Sequence, residues 1–156
     1  MVLAIRPDSW NFPLLLHVGG AMLLVASLVV AAICLVLAWR EQEADSAAAL
    51  IRFAFRTMLF AVLPSYLLMH GAAEWIASKE HLNGSVTPSW IDTGYTTADG
   101  GGVLLLISII LTGIASRRAG RAPSTAGVLV KIGTVLSLLV LIAFGIAIWA
   151  MTTKPT

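Results

Sequence analysis

Charge is scarce in this chain. Only 12% of its residues are Asp, Glu, Lys or Arg, about half the share found in soluble domains. By contrast, 58% are hydrophobic, and the mean hydropathy is +0.91. That balance excludes a water-soluble domain. The formal net charge is only +2, so nucleic-acid binding has no electrostatic support. Cysteine is nearly absent. Cys34 stands alone, which rules out an internal disulfide or a cysteine cluster, and its apolar surroundings read as inert packing. Catalytic motifs are missing as well: no HExxH, no CxxC, no phosphate-binding glycine loop and no Ser–His–Asp or Cys–His arrangement. The chain reads as a binding or accessory protein rather than an enzyme on its own.

What is present is apolar and long. Four stretches, at about 13–38, 52–77, 98–116 and 126–151, each approach or exceed the roughly 20 residues that cross a bilayer. The expected fold is all-α, a single-domain four-helix transmembrane bundle with short loops and its longest loop, 78–97, between the second and third helices. Asn11 before Phe12 and Pro13 reads as a helix cap with proline in the first turn. Arg6 is the only cation before the first span, and that span exceeds a signal core of about 7–15 residues, so it reads as retained. Ile33 before Cys34 does not suit a lipoprotein-type cleavage. Ser46 can cap the second helix, and Thr96 with Asp99 has the spacing of a capping box. Asn83–Gly84 and Thr87–Pro88 are turn signals. Gly19–Gly20–Ala21, Gly100–Gly101–Gly102 and Gly133–Ser137 offer surfaces for close helix approach.

Seven cations, Arg40, Arg52, Arg56, Arg117, Arg118, Arg121 and Lys131, fall on one side of a four-span chain, against Arg6, Lys79 and Lys154 on the other. The positive-inside rule then places both termini and the 78–97 loop outside. Trp10, Trp75 and Trp149 fall at the outer interface and Trp39 at the inner one, as an aromatic belt requires.

Polar chemistry gathers at one level of this frame. Residues four apart on a helix differ by roughly 40°, so Tyr66, His70, Glu74 and His81 form one stripe. Pro64 one turn earlier removes a backbone hydrogen bond and bends the helix, leaving space beside the stripe. His17 and His70 both lie on the order of 10 Å inside the outer surface. An ionisable residue inside a span is costly and points to function. Three chemistries fit. His17, His70 and Glu74 offer nitrogen and oxygen donors to a transition metal. His17 and His70 can instead ligate a haem b iron from two neighbouring helices, with Tyr66, Trp75 and Asp99 in support. Alternatively the pocket binds a quinone or a lipid headgroup in the outer leaflet. The bland reading is that His17 bonds a backbone carbonyl of a neighbouring helix, and that the other groups fasten helix ends in a cofactor-free structural or assembly subunit. His81, Asp92 and Tyr95 read as loop residues, and Asp99 as a cap. The third and fourth spans carry no ionisable residue at mid-membrane, which argues against a conduction path through one copy.

The segment LLLHVGGAMLLVASLV (14–29) resembles the opening helix of small bacterial inner-membrane proteins of the copper-resistance-D-like kind. These have a histidine one turn into the helix, followed closely by glycine. The tryptophan that usually precedes the glycine pair there is lacking here. The resemblance implies an inner-membrane location and a metal or haem association that maps onto His17. The whole arrangement is similar to uncharacterised four-span bacterial membrane proteins. With His17 and His70 as ligands and Glu74 in support, the expected role is an electron-transfer or accessory subunit working with other membrane subunits or as a homo-oligomer.

Overall fold

In the computed structural model, which describes residues 11–79, 89–119 and 123–153, the chain forms four long helices: α1 (Asn11–Arg40), α2 (Ala44–Lys79), α3 (Ser89–Arg118) and α4 (Pro123–Thr153). No strand occurs among the described residues. Each helix contains a segment long and apolar enough to cross a membrane, and the fold is a multi-pass helical membrane bundle. Neighbours in the chain pack side by side, and α1 also packs on α4. One end of the bundle carries Asn11, Lys79 and Thr153, and is called here the histidine end. The other carries Arg40, Arg118 and Pro123, and is called the arginine end.

The core is a column of fully buried side chains, Leu24, Leu28 and Leu35 on α1, Met58 and Val62 on α2, Leu105 on α3 and Val140 on α4. Outward-facing Leu15, Met22, Phe60, Ile110, Ile142 and Trp149 are exposed, which is what a lipid-facing surface requires. In lipid the helices gain little from apolar transfer, so contact must come from close packing and polar bridges. Gly20 supplies the first: a Cβ there would lie 2.9 Å from the backbone nitrogen of Met69 on α2. The α3–α4 seam supplies the second. Ser108 Oγ and Ser137 Oγ lie 2.9 Å apart, and both hydroxyls reach the Gly133 carbonyl. Thr112 Oγ1 is the buried side-chain polar atom that lacks a partner among the described residues. It faces Gly133, where a Cβ would sit 3.0 Å away.

Several expected boundaries move. The first connection is only Glu41–Glu43, closed by Glu41 Oε1, which accepts from the backbone N–H of Gln42 and Glu43. Helix α2 therefore starts at Ala44, ahead of Arg52. Glu43 is the N-cap, and Ser46 instead donates its hydroxyl to the Glu43 carboxylate at 2.9 Å. Helix α3 begins at Ser89 rather than near Ala98. Thr96 and Asp99 are thus interior helical residues, not a capping box, and Asp92 and Tyr95 lie in helix rather than loop. Helix α4 opens on Pro123, where the missing N–H costs nothing because a first-turn N–H has no intrahelical partner. His81 and both turn signals, Asn83–Gly84 and Thr87–Pro88, lie outside the described residues.

The bend at Pro64 takes a particular form. Met58–Val62 is a π-helical turn, closed by the Leu63 N–H on the Met58 carbonyl. In a regular α-helix the proline ring would collide with the carbonyl four residues before it; the wider turn moves that carbonyl aside. The two halves of α2 then diverge. Near the arginine end α2 packs closely on α3, with Phe55 against Gly113. Beyond Pro64 its backbone leans on α1, and it meets α3 chiefly through side chains.

Candidate functional site at the histidine end

The stripe Tyr66–His70–Glu74 crosses the space opened by that bend, and each member meets α3. The Tyr66 hydroxyl donates to the Ala98 carbonyl at 3.2 Å. His70 Nε2 lies 3.9 Å from Asp99 Oδ1. Glu74 lies near the Tyr95 side chain of α3. The rings of Tyr66 and His70 stack, with centroids 5.7 Å apart and planes 17° apart, and Phe144 of α4 tilts against Tyr66. Gly102 makes room for this, since a Cβ there would occupy the place of the Tyr66 hydroxyl. Gly101 faces the Phe144 ring, and Gly100 faces open space. Of the three consecutive glycines, Gly102 is the one that close approach requires.

Beside the bridge lies a cavity of about 70 Å³, walled by all four helices. Its lining is mostly apolar: Leu24 and Val25 at the deep side, Phe144 and Ala147 on α4, Met151 toward the end. The polar exceptions are His17, His70 and Tyr95. Such a volume has room for a few waters or a small head group. Below it the core column is dry, so the cavity has no polar continuation toward the arginine end along that column.

His17 holds a defined tautomer. Its Nδ1 lies 3.0 Å from the Met69 carbonyl oxygen. A carbonyl only accepts, so Nδ1 carries the proton and, in the neutral ring, Nε2 presents a lone pair. Nε2 has no hydrogen-bond partner among the described residues. Met69 is also the residue whose backbone meets Gly20, and His17 and Gly20 are one turn apart. The close approach and the interhelical bond therefore belong to the same contact.

Of the residues expected to form a site, His17 and His70 line the cavity. Tyr66 forms the bridge beside it. Glu74 is exposed, near Tyr95 and outside the lining. Trp75 packs edge-on against Phe12 and carries Lys79 over its ring at 5.4 Å. Asp99 faces His70. Among the described residues no three His, Cys, Asp or Glu side chains converge as a metal site. Sequence reasoning missed Tyr95, Gly94 and Ala98. Their signal was present: Ile91, Gly94, Tyr95 and Ala98 recur at helical spacing, but the Thr, Asp and Gly between them suggested a loop.

No family model matches the chain, and comparison with the curated proteins and with the solved structures returns no match.

Proposed function

We propose that the chain binds the polar head of an amphipathic molecule in the cavity at the histidine end, and that this end faces the outside of a bacterial inner membrane. The observation that carries the reading is the unpartnered Nε2 of His17 in an apolar wall. His17 is half-buried, and a ligand that donates to Nε2 forms a hydrogen bond worth about 0.5–1.5 kcal/mol. Nε2 is an acceptor, so the ligand must bring a donor. A hydroxyl, as in a quinol, or an amine, as in an aminophospholipid headgroup, fits. An oxidised quinone, which only accepts, does not. The orientation rests on the positive-inside rule, since Arg40, Arg52, Arg56, Arg117, Arg118 and Lys131 lie toward the other end, against Lys79 at this one among the described residues. The partners are the bilayer and the ligand, with other membrane subunits or further copies of this chain on the exposed helix faces.

A second reading has its own support. A histidine that donates Nδ1–H to a backbone carbonyl and offers Nε2 is in the form that ligates a metal or a haem iron. The resemblance of the first helix to copper-resistance-D-like proteins points the same way. In that case His17 and His70 are the ligands, with Glu74 in support, and the chain is an electron-transfer or accessory subunit.

The test is a titration of purified protein, followed by tryptophan fluorescence, with a short-chain quinol, its quinone and phosphatidylethanolamine. Saturable binding of a donor-bearing ligand, at least about tenfold weaker for the quinone and lost in His17→Leu, supports the reading. An absorption spectrum with a Soret band, or one metal per chain, that disappears in His17→Leu transfers the site to the second reading. Absence of all these signals leaves a structural subunit.

A further inference from the structure

Four exposed arginines, Arg52 and Arg56 on α2 and Arg117 and Arg118 on α3, fall at neighbouring levels of the α2–α3 seam toward the arginine end, away from the cavity. Phe55 packing on Gly113 fixes the register of the two helices there. Arg52 and Arg56, one turn apart, flank Phe55 on α2. Arg117 lies one turn beyond Gly113 on α3, with Arg118 beside it. All four are exposed. Among the described residues none has a hydrogen bond or an ion pair. The acids of this end, Glu41, Glu43 and Asp45, lie in and just after the α1–α2 connection instead. Lys131, the described cation of α4 at this end, lies 5.6 Å from the Trp39 ring centroid and is engaged there.

Depth makes the cluster informative. Arg56 is about 18 Å along the helix axis from Ala44, past the connection and beside the exposed rings of Phe53 and Phe60. A cation at that level must extend toward the interface to stay solvated, which brings it to the height of lipid phosphate. We propose that the arginine end of the α2–α3 seam binds an anionic phospholipid, with Arg52, Arg56 and Arg117 around the phosphate and an acyl chain along Phe53 and Phe60. Planar guanidinium groups suit phosphate oxygens, and the uncompensated charge selects an anionic lipid over a zwitterionic one.

Native mass spectrometry and thermal unfolding of the purified chain, with phosphatidylglycerol or phosphatidylcholine added, test this. Phosphatidylglycerol should bind and raise the unfolding temperature, and phosphatidylcholine should not. Removing one guanidinium should weaken binding about fivefold, so R52Q/R56Q/R117Q should lose on the order of a hundredfold. R52K/R56K/R117K keeps the charge but not the planar fork, so its affinity should fall between that of the parent and that of the triple Gln variant. K131Q should be unaffected. If the triple Gln variant does not fold, R52Q alone reads the fivefold step. Equal binding of both lipids, an R52Q affinity equal to that of the parent, a K131Q loss as large as that of R52Q, or equal protection by soluble glycerol phosphate would each overturn the proposal.

Discussion

His17 donates its Nδ1 proton to the main-chain oxygen of Met69, 3.0 Å away across the α1–α2 seam. One bond does two things: it joins two helices near the histidine end, and it sets which ring nitrogen faces the cavity. Replacement by leucine removes the first at a modest cost of about 0.6 kcal/mol, the average for interhelical hydrogen bonds in a membrane protein. His17→Leu should therefore fold and unfold in denaturing detergent almost as the parent does, while losing any ligand that needs Nε2. A large stability loss, comparable to a core cavity, would show that the histidine is mainly a fastener.

The glycine pair of α1 should divide sharply. Gly20→Ala places a methyl 2.9 Å from the Met69 nitrogen, a backbone atom that cannot swing aside. Forcing the seam apart should cost about 1–3 kcal/mol. Gly19 has open space where its Cβ would be, so Gly19→Ala should be neutral or slightly stabilising through helix propensity. Unfolding in mixed micelles for the two variants side by side measures the difference.

A second pair tests the aromatic bridge. Gly102→Val drives its side chain into the Tyr66 ring, whereas Gly100→Ala meets nothing. The first should displace Tyr66 from the Ala98 carbonyl and increase amide exchange in the turns of α2 at the histidine end. The second should leave exchange unchanged. Tyr66→Phe keeps the ring and loses only the bond, so it should fall between them.

Orientation is open to chemical labelling. With Cys34 replaced by alanine, a cysteine at Ser78 should react with a membrane-impermeant thiol reagent added to intact cells. A cysteine at Gln42 should react only after the membrane is opened. The reverse pattern would invert the topology and place the cavity on the inner side.

Fold class was legible because hydropathy over a bilayer length is nearly sufficient for it, and the aromatic and cationic residues mark the ends. Boundaries were less legible, for a physical reason: hydropathy measures lipid, not helix. The first turns of α3 around Asp92 are helical but polar, so they read as loop, and the polar start of α2 at Ala44 lies just ahead of the expected cap at Ser46. Within the site, the period of Tyr66, His70 and Glu74 showed that they share a face, and Pro64 showed that the helix must bend near them. Neither could show that the face meets α3, because Ala98, Asp99 and Tyr95 are partners only in three dimensions. The acceptor of His17 is a backbone carbonyl, which every residue carries, so no residue type could mark Met69. A bond of that kind was nonetheless among the expectations for His17.

Under the proposed function, His17 presents an acceptor nitrogen to a ligand that brings a donor. Nitrogen-15 NMR of the histidine rings in lipid nanodiscs tests it most directly. The expected result is a neutral His17 ring protonated at Nδ1, with an Nε2 resonance that moves on adding a short-chain quinol or phosphatidylethanolamine and stays in place with the oxidised quinone. A ring protonated at Nε2 alone, or an Nε2 resonance that none of these ligands shifts at saturating concentration, would contradict it.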